Sequence, residues 1–258
     1  MIRKIPTHAT IKLLLKPILL IRLIRIWFNS QILNRPTLIN VDGIWFLQNW
    51  GYGVGVWAAV SGNEYESELR PTLDLIKQGQ TVLDLGANIG VYALKIAQKV
   101  GDDGLVIAFE PNQKNFEKLE KNIQLNGFKN IKAFNLAAAD FNGEAKLSFE
   151  NNFENAASIV HKAGLQAEIV GVVRLDDFFT ENNIKKIDFI KMDIEGAEPF
   201  ALKGFEKNIL QHKPQMLFEN TSAMTASFLS KMGYRTGYFK DKLFIESKDK
   251  KNLFALIK

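Results

Sequence analysis

Apolar residues along this chain come in two rhythms that alternate. Short apolar runs at Val82-Leu83 with Leu85, Leu105–Phe109, Ile131–Asn135 with its Leu136–Ala139 continuation, Ile187–Met192 and Pro214–Phe218 predict buried strands. Between them, helices are expected from near Val91, from Asn112 through Lys118 and Leu125 to Gly127, and from Pro199 to about Gly204. Asparagine suits the N-cap, proline the first helical turn and glycine the stop. Strand and helix in alternation predict an α/β domain with a mainly parallel sheet. Tyr234–Phe239 and Asn252–Ile257 read as its last strands, with clusters such as Gly101-Asp102-Asp103-Gly104 and Glu181-Asn182-Asn183 as connections.

The first fifth of the chain departs from this pattern. Ile11–Phe28 is rich in Leu and Ile, with Lys12, Lys16, Arg22 and Arg25 interspersed. Its uncharged run, Pro17–Ile21, is far shorter than the ~20 residues of a membrane span. No small-residue cleavage site follows, which argues against a signal peptide. Pro17 starts or kinks a helix, with Arg22 and Arg25 on one narrow face and Ile, Leu, Trp27 and Phe28 around the rest. A helix this apolar needs cover. One reading packs it on the domain or on a second subunit; the other lays it on anionic lipid as a peripheral membrane contact. Val41–Leu47 then reads as a strand, and Gly51–Trp57 as a flexible aromatic loop able to cover a site. The expected organisation is an N-terminal extension over residues 1–60 and a main domain over residues 61–258.

Composition agrees with one domain. A chain of 258 residues, 47% hydrophobic, can bury a single substantial core. The absence of cysteine removes disulfides and thiolate metal sites and fits a reducing, cytoplasmic setting. The net charge of +5 raises nucleic acid as a partner. The excess is local, however, in the N-terminal cations and in Lys240, Lys242, Lys248, Lys250 and Lys251, with no aromatic-interleaved basic stripe. A nucleic-acid substrate is therefore the minority expectation.

The candidate chemistry starts in Thr81–Tyr92, TVLDLGANIGVY. An apolar strand runs through Gly86-Ala87-Asn88-Ile89-Gly90 into a helix, the arrangement that holds a nucleotide-like ligand at the carboxyl ends of parallel strands. Gly86 and Gly90 permit close approach and left-handed backbone angles. Asp84 closes the strand, where its carboxylate is expected to meet a polar or cationic part of the ligand. One βα unit later, Glu110 ends the second strand at the spacing of a ribose-binding acid. Dinucleotide dehydrogenases share both elements, so an oxidoreductase is one alternative. Three features favour S-adenosylmethionine. Asn88 and Ile89 stand where a pyrophosphate needs bare backbone, Asp84 suits the amino-acid end of a sulfonium cofactor, and Asp140 is expected within reach of an adenine amino group.

With Ile187–Glu198 included, the chain resembles the FkbM family of S-adenosylmethionine-dependent methyltransferases. The matching pieces are VLDLGANIG, AFEP, the AAAD after the third strand, VVRLDDFF and FIKMDIEGAEPFALKG, and the resemblance covers roughly Gly62 to Glu219. It implies a class I (Rossmann-like) fold with a seven-strand, mainly parallel sheet and helices on both faces. It also implies cofactor contacts at Ala87, Pro111 and Ala139, at an upstream Tyr65-Glu66 pair, and at the residues named above. The implied activity is O-methylation of a hydroxyl on a sugar, glycolipid or secondary metabolite. A catalytically silent cofactor-binding module is the alternative from another class, and intact Asp193 and Glu195 argue against it.

Methyl transfer from a sulfonium is an in-line displacement, so catalysis is mostly positioning, with an acceptor for the hydroxyl's proton. Asp193 is expected beside the donor methyl as general base or orienting acid, with Glu195 as its helper. Glu198 reads as a favourable carboxylate at a helix N-terminus. Lys191 points away from Met192 and has no assigned role. Asp193, Glu219 and Asn220 offer three oxygen ligands for Mg²⁺ as an alternative to metal-free catalysis. His161 reads as a solvated loop residue, with a base as its alternative role.

Overall fold

The computed structural model describes residues 21, 24, 28–29, 36–48, 68–150, 153–158, 166–219, 222–240, 243–247 and 252–257. A hairpin of β1 (Thr37–Val41) and β2 (Ile44–Gln48) comes first, followed by α1 (Leu69–Leu75). The repeating units are β3 (Thr81–Leu85), α2 (Val91–Val100), β4 (Leu105–Phe109), α3 (Gln113–Asn126) and β5 (Ile131–Phe134). An all-β stretch inserts next: β6 (Ala137–Ala139), β7 (Gly143–Glu150), β8 (Phe153–Ser158) and β9 (Gln166–Arg174). After α4 (Leu175–Glu181) come β10 (Phe189–Met192), α5 (Glu198–Lys203), α6 (Glu206–His212), β11 (Gln215–Glu219) and α7 (Ala223–Lys231). The chain closes with β12 (Tyr234–Lys240), β13 (Leu243–Glu246) and β14 (Asn252–Ile257).

The main sheet runs β13-β12-β14-β11-β10-β3-β4-β5. Strands β5, β4, β3, β10 and β11 are mutually parallel, and β14 lies antiparallel between β11 and β12. The period of two sends successive residues to opposite faces. Val82, Val106, Phe189 and Leu217 pack on the α2 face; Leu83, Ile107, Ile190 and Phe218 pack on the opposite face with α4, α5 and α6 residues. Each such side chain, once buried, contributes about 1.5–3 kcal/mol. This is the α/β class read from the sequence.

Three details differ from expectation. The main sheet has eight strands, because the chain reverses after β12 and β13 pairs with it antiparallel, its Phe244 ring 5.5 Å from Phe239. The apolar run Val41–Leu47 is not one strand: it holds the end of β1, the turn and most of β2 of a hairpin. Asp42 and Gly43 take φ of 50° and 86°, the left-handed pair of a two-residue turn. The expected single strand Ile131–Ala139 breaks after Phe134, and β6 leaves the main sheet to pair with β9 in a second sheet ordered β6-β9-β7-β8. Asn135 makes the break, donating from Nδ2 to the carbonyls of Glu110 and Pro111 at 2.9 Å each.

The hairpin docks on the α2 face of the sheet. Ile39, Val41, Ile44 and Phe46 join the α2-face core. Asn126 pairs with both backbone groups of Trp45, while Asn122 accepts from Leu47 N and donates to Ile89 O. Lys95 donates to Val41 O and to Asp42. Two asparagines one turn apart on α3 thus stand in for a neighbouring strand and satisfy the edge of β2.

Candidate active site

The turn after β3 is shaped by what lies around it. Gly86, Asn88 and Gly90 have φ of 76°, 53° and 96°, and the amides of Gly86 and Ala87 both donate to Phe109 O. A Cβ on Gly86 would fall 1.9 Å from Asp193 O, so the turn and the strand end carrying Asp193 are in backbone contact. On Gly90 a Cβ would strike Leu94 and Leu119, which pack α2 and α3 against the turn.

Glu110 is buried at the end of β4, with 6% exposure. Its Oε2 accepts from Asn88 N at 2.8 Å and its Oε1 from Asn112 N at 2.9 Å. Asn112 is the expected N-cap of α3 and accepts from Asn115 N, and Gly127 ends that helix at φ 70°. Burial pushes the Glu110 carboxyl up to about 7, against the lowering effect of the two amides.

An open cleft lies over these strand ends. Its lining includes Gly86 and Asn88 from the turn after β3, Glu110 and Pro111 from the end of β4, and Asp193, Ile194 and Glu195 from the turn after β10. Phe109, Leu136, Ala138 and Leu147 add apolar surface to the lining, with Leu147 contributed by β7 of the second sheet. Glu195 and Gly196 take φ of 51° and 98° just beyond β10, and Glu198 ties this turn by accepting from the amides of Ile194 and Gly196.

The structure therefore gathers Gly86, Asn88, Glu110, Pro111, Asp193 and Glu195 around one cleft. It places five other candidates elsewhere, the first being Gly90, which is buried against Leu94 and Leu119 and is not part of the cleft lining. Asp84 is wholly buried beneath the turn, and its cationic neighbour is Lys191 at 3.3 Å, not a ligand group in the cleft. Ala87 is buried behind the turn, and the carbonyl of Ala139 packs against Gly204, where a Cβ would lie 2.0 Å away. Asp140 is paired with Lys203 at 2.7 Å, which holds its carboxyl below the usual range. The break at Asn135 has carried Asp140 out of the cleft lining. Tyr65, Glu66, His161, Asn220 and the Gly51–Trp57 loop lie outside the described residues. Sequence reasoning missed Leu147, Asn135 and the partners of Lys191. Strand periodicity gave the face of Lys191 but could not say which carboxylates it would meet.

Comparison with known proteins fits this geometry. The Methyltransferase FkbM domain matches residues 84–236, more than half of the chain. The chain belongs to the FkbM methyltransferase family. Methyltransferase 1 of Beauveria bassiana (strain ARSEF 2860) is 27% identical over 145 residues, covering 48% of this chain and 58% of that protein. Methyltransferase sdnD of Sordaria araneosa is 26% identical over 157 residues, covering 49% and 60%. The match thus spans less than two thirds of these curated relatives. Among solved structures, the FkbM methyltransferase of Methylobacillus flagellatus KT aligns with a TM-score of 0.49 at 19% identity, over 80% of this chain and 55% of that one. Fibrillarin from Aeropyrum pernix, solved with natively bound S-adenosyl-L-methionine, aligns with a TM-score of 0.46 at 14% identity, over 86% and 82%. This member of the FkbM methyltransferase family has an α/β fold with a β-rich insertion between the third and fourth of its parallel strands.

Proposed function

We propose that this FkbM methyltransferase transfers a methyl group from S-adenosylmethionine to a hydroxyl of a sugar, glycolipid or secondary metabolite. The observation that carries the cofactor reading is Glu110, a buried carboxylate on the cleft wall with one backbone amide at each oxygen. Its remaining lone pairs suit the two hydroxyl donors of a ribose. The donor end suits a cation: Asp193 and Glu195 sit in the cleft, and no cationic side chain belongs to its lining among the described residues, Lys191 being buried behind Asp193. The apolar side chains of Phe109, Leu136 and Leu147 in the lining suit a flat base.

When bound, S-adenosylmethionine supplies a methyl group on a positively charged sulfur. The chain's own work is to hold and orient. Glu110 fixes the ribose, the bare backbone at Gly86 gives room beside Asp193, and the apolar part of the lining excludes water around the base. Asp193 orients the acceptor hydroxyl and takes its proton as the oxygen–carbon bond forms and the carbon–sulfur bond breaks, the electron pair leaving with sulfur. Glu195 assists on the same turn. The Mg²⁺ alternative needs Asn220, outside the described residues.

The acceptor class comes from the family resemblance. An acceptor carried at a membrane would suit a protein held there by its N-terminal segment, which we include in the proposal. The test is transfer of label from methyl-tritiated S-adenosylmethionine into lipid, glycan and small-metabolite fractions of cells lacking the protein. Alkali-stable label in one fraction is expected, with Asp193→Asn lowering the rate by roughly 10²-fold or more. Label in no fraction would favour a silent binding module, label in RNA would overturn the acceptor class, and turnover preserved within a few-fold would remove Asp193 as the base.

A further inference from the structure

Lys191 stands where the sheet, the glycine turn and the cleft acid meet. It faces Asp84 across the hydrogen-bonded pair β3–β10, and the alternation along both strands sends the two side chains to the same side. The ammonium is buried and donates to Gly86 O at 2.8 Å. It lies 3.3 Å from Asp84 Oδ1, 3.7 Å from Asp193 Oδ2 and 5.2 Å from the centre of the Tyr92 ring. A buried ammonium is costly unless compensated, and here a carbonyl, two carboxylates and a ring face surround it. The need is mutual. Asp84 is wholly buried, and close carboxylates resist joint ionisation unless a cation sits among them.

These contacts also have a direction. Asp84 and Gly86 O lie beneath the turn, whereas Asp193 lies in the cleft lining, so the ammonium reaches from the sheet interior to the acid that faces the ligand. We propose that Lys191 is the positioning residue for Asp193: its ammonium, fixed by Gly86 O and Asp84, holds the Asp193 carboxylate at the donor end of the cleft. The turn that cradles the donor and the acid that meets the acceptor are thereby tied through one side chain. The inference rests on the placement of Asp193 beside the transferable methyl proposed above.

The test needs no acceptor. Sinefungin carries an amine where S-adenosylmethionine carries its transferable methyl, and S-adenosylhomocysteine carries nothing there. The ratio of their dissociation constants therefore reports a carboxylate at that place. Wild type should favour sinefungin, and Asp193→Asn should lower that preference by about tenfold. Lys191→Met should lower it roughly fivefold through loss of a charge-assisted contact, while Lys191→Arg retains it. In an Asp193→Asn background, Lys191→Met should change the ratio no further. Lys191→Gln keeps a donor for Gly86 O and should show the same drop as Lys191→Met, which guards against a failure of the latter to fold. A purely structural lysine would weaken both analogues together; an unchanged ratio in Lys191→Met and Lys191→Gln, or a raised one, overturns the proposal. An unchanged ratio in Asp193→Asn instead overturns the placement of Asp193, and the proposal with it.

Discussion

On the function proposed above, cofactor binding turns on Glu110, and the environment of that carboxyl makes the binding depend on pH. Burial raises the carboxyl from 4.5 to about 7, while the Asn112 and Asn88 amides and the Lys191 charge pull it down. A raised acid favours the protonated folded protein. Its contribution to stability is therefore fully present below pH 4.5 and is lost as pH rises through 7, a difference of about 3 kcal/mol. Ribose hydroxyls donate hydrogen bonds, so the cofactor needs the ionised form. S-adenosylmethionine affinity should be flat above pH 7 and fall by up to about tenfold per pH unit below it. Titrations between pH 5.5 and 8 check this. Glu110→Gln should bind weakly with little pH dependence, and its ligand-free melting temperature should lack the wild type's downward trend. A wild-type affinity that does not change over this range would show that Glu110 is not the titrating contact.

At the scale of elements, the sequence was most legible where one residue type has one structural use. Gly86 and Gly90 mark left-handed turn positions, Asn112 caps α3, Gly127 ends it, and Glu110 follows β4 at the ribose-binding spacing. It was least legible where pairing partners are far apart in the chain. The run Ile131–Ala139 is apolar throughout, so nothing local announces that Asn135 ends one sheet and β6 begins another with β9 as its partner, some thirty residues on. That break moves Asp140 out of the cleft and brings in Leu147. Asp42-Gly43 was a readable hairpin signal hidden inside an otherwise strand-like run. Alternation fixed the face of Lys191, but its carboxylate partners come from two different strand ends.

Across the whole molecule, charge is unevenly placed. The first 48 residues hold seven of the cations, Arg3, Lys4, Lys12, Lys16, Arg22, Arg25 and Arg35, against the single carboxylate Asp42. With a total of +5, the remaining chain is close to neutral at −1. Ile21, Ile24 and Phe28 are helical and exposed, as are Leu38 and Trp45 on the hairpin, and Asn29 donates to Thr37 Oγ1 where the two segments meet. No helix among the described residues is long and apolar enough to cross a membrane. Apolar exposure combined with local positive charge suits an anionic lipid surface, at about 1 kcal/mol per basic residue near it. The protein should co-sediment with phosphatidylserine vesicles, less so at high salt, and Arg22→Ala with Arg25→Ala should reduce it. Equal binding to neutral vesicles, or none to either, would return this segment to packing on the domain or on a second copy.

The central claim is that the cleft over β3, β4 and β10 binds S-adenosylmethionine through Glu110, and calorimetric titration of wild type and Glu110→Ala tests it most directly. The account predicts that S-adenosylmethionine and S-adenosylhomocysteine bind the wild type and NAD does not. Charged hydrogen bonds contribute about 1.5–3 kcal/mol, so Glu110→Ala should bind both roughly 10- to 150-fold more weakly. Binding of NAD in their place, or undiminished affinity in Glu110→Ala, would contradict it.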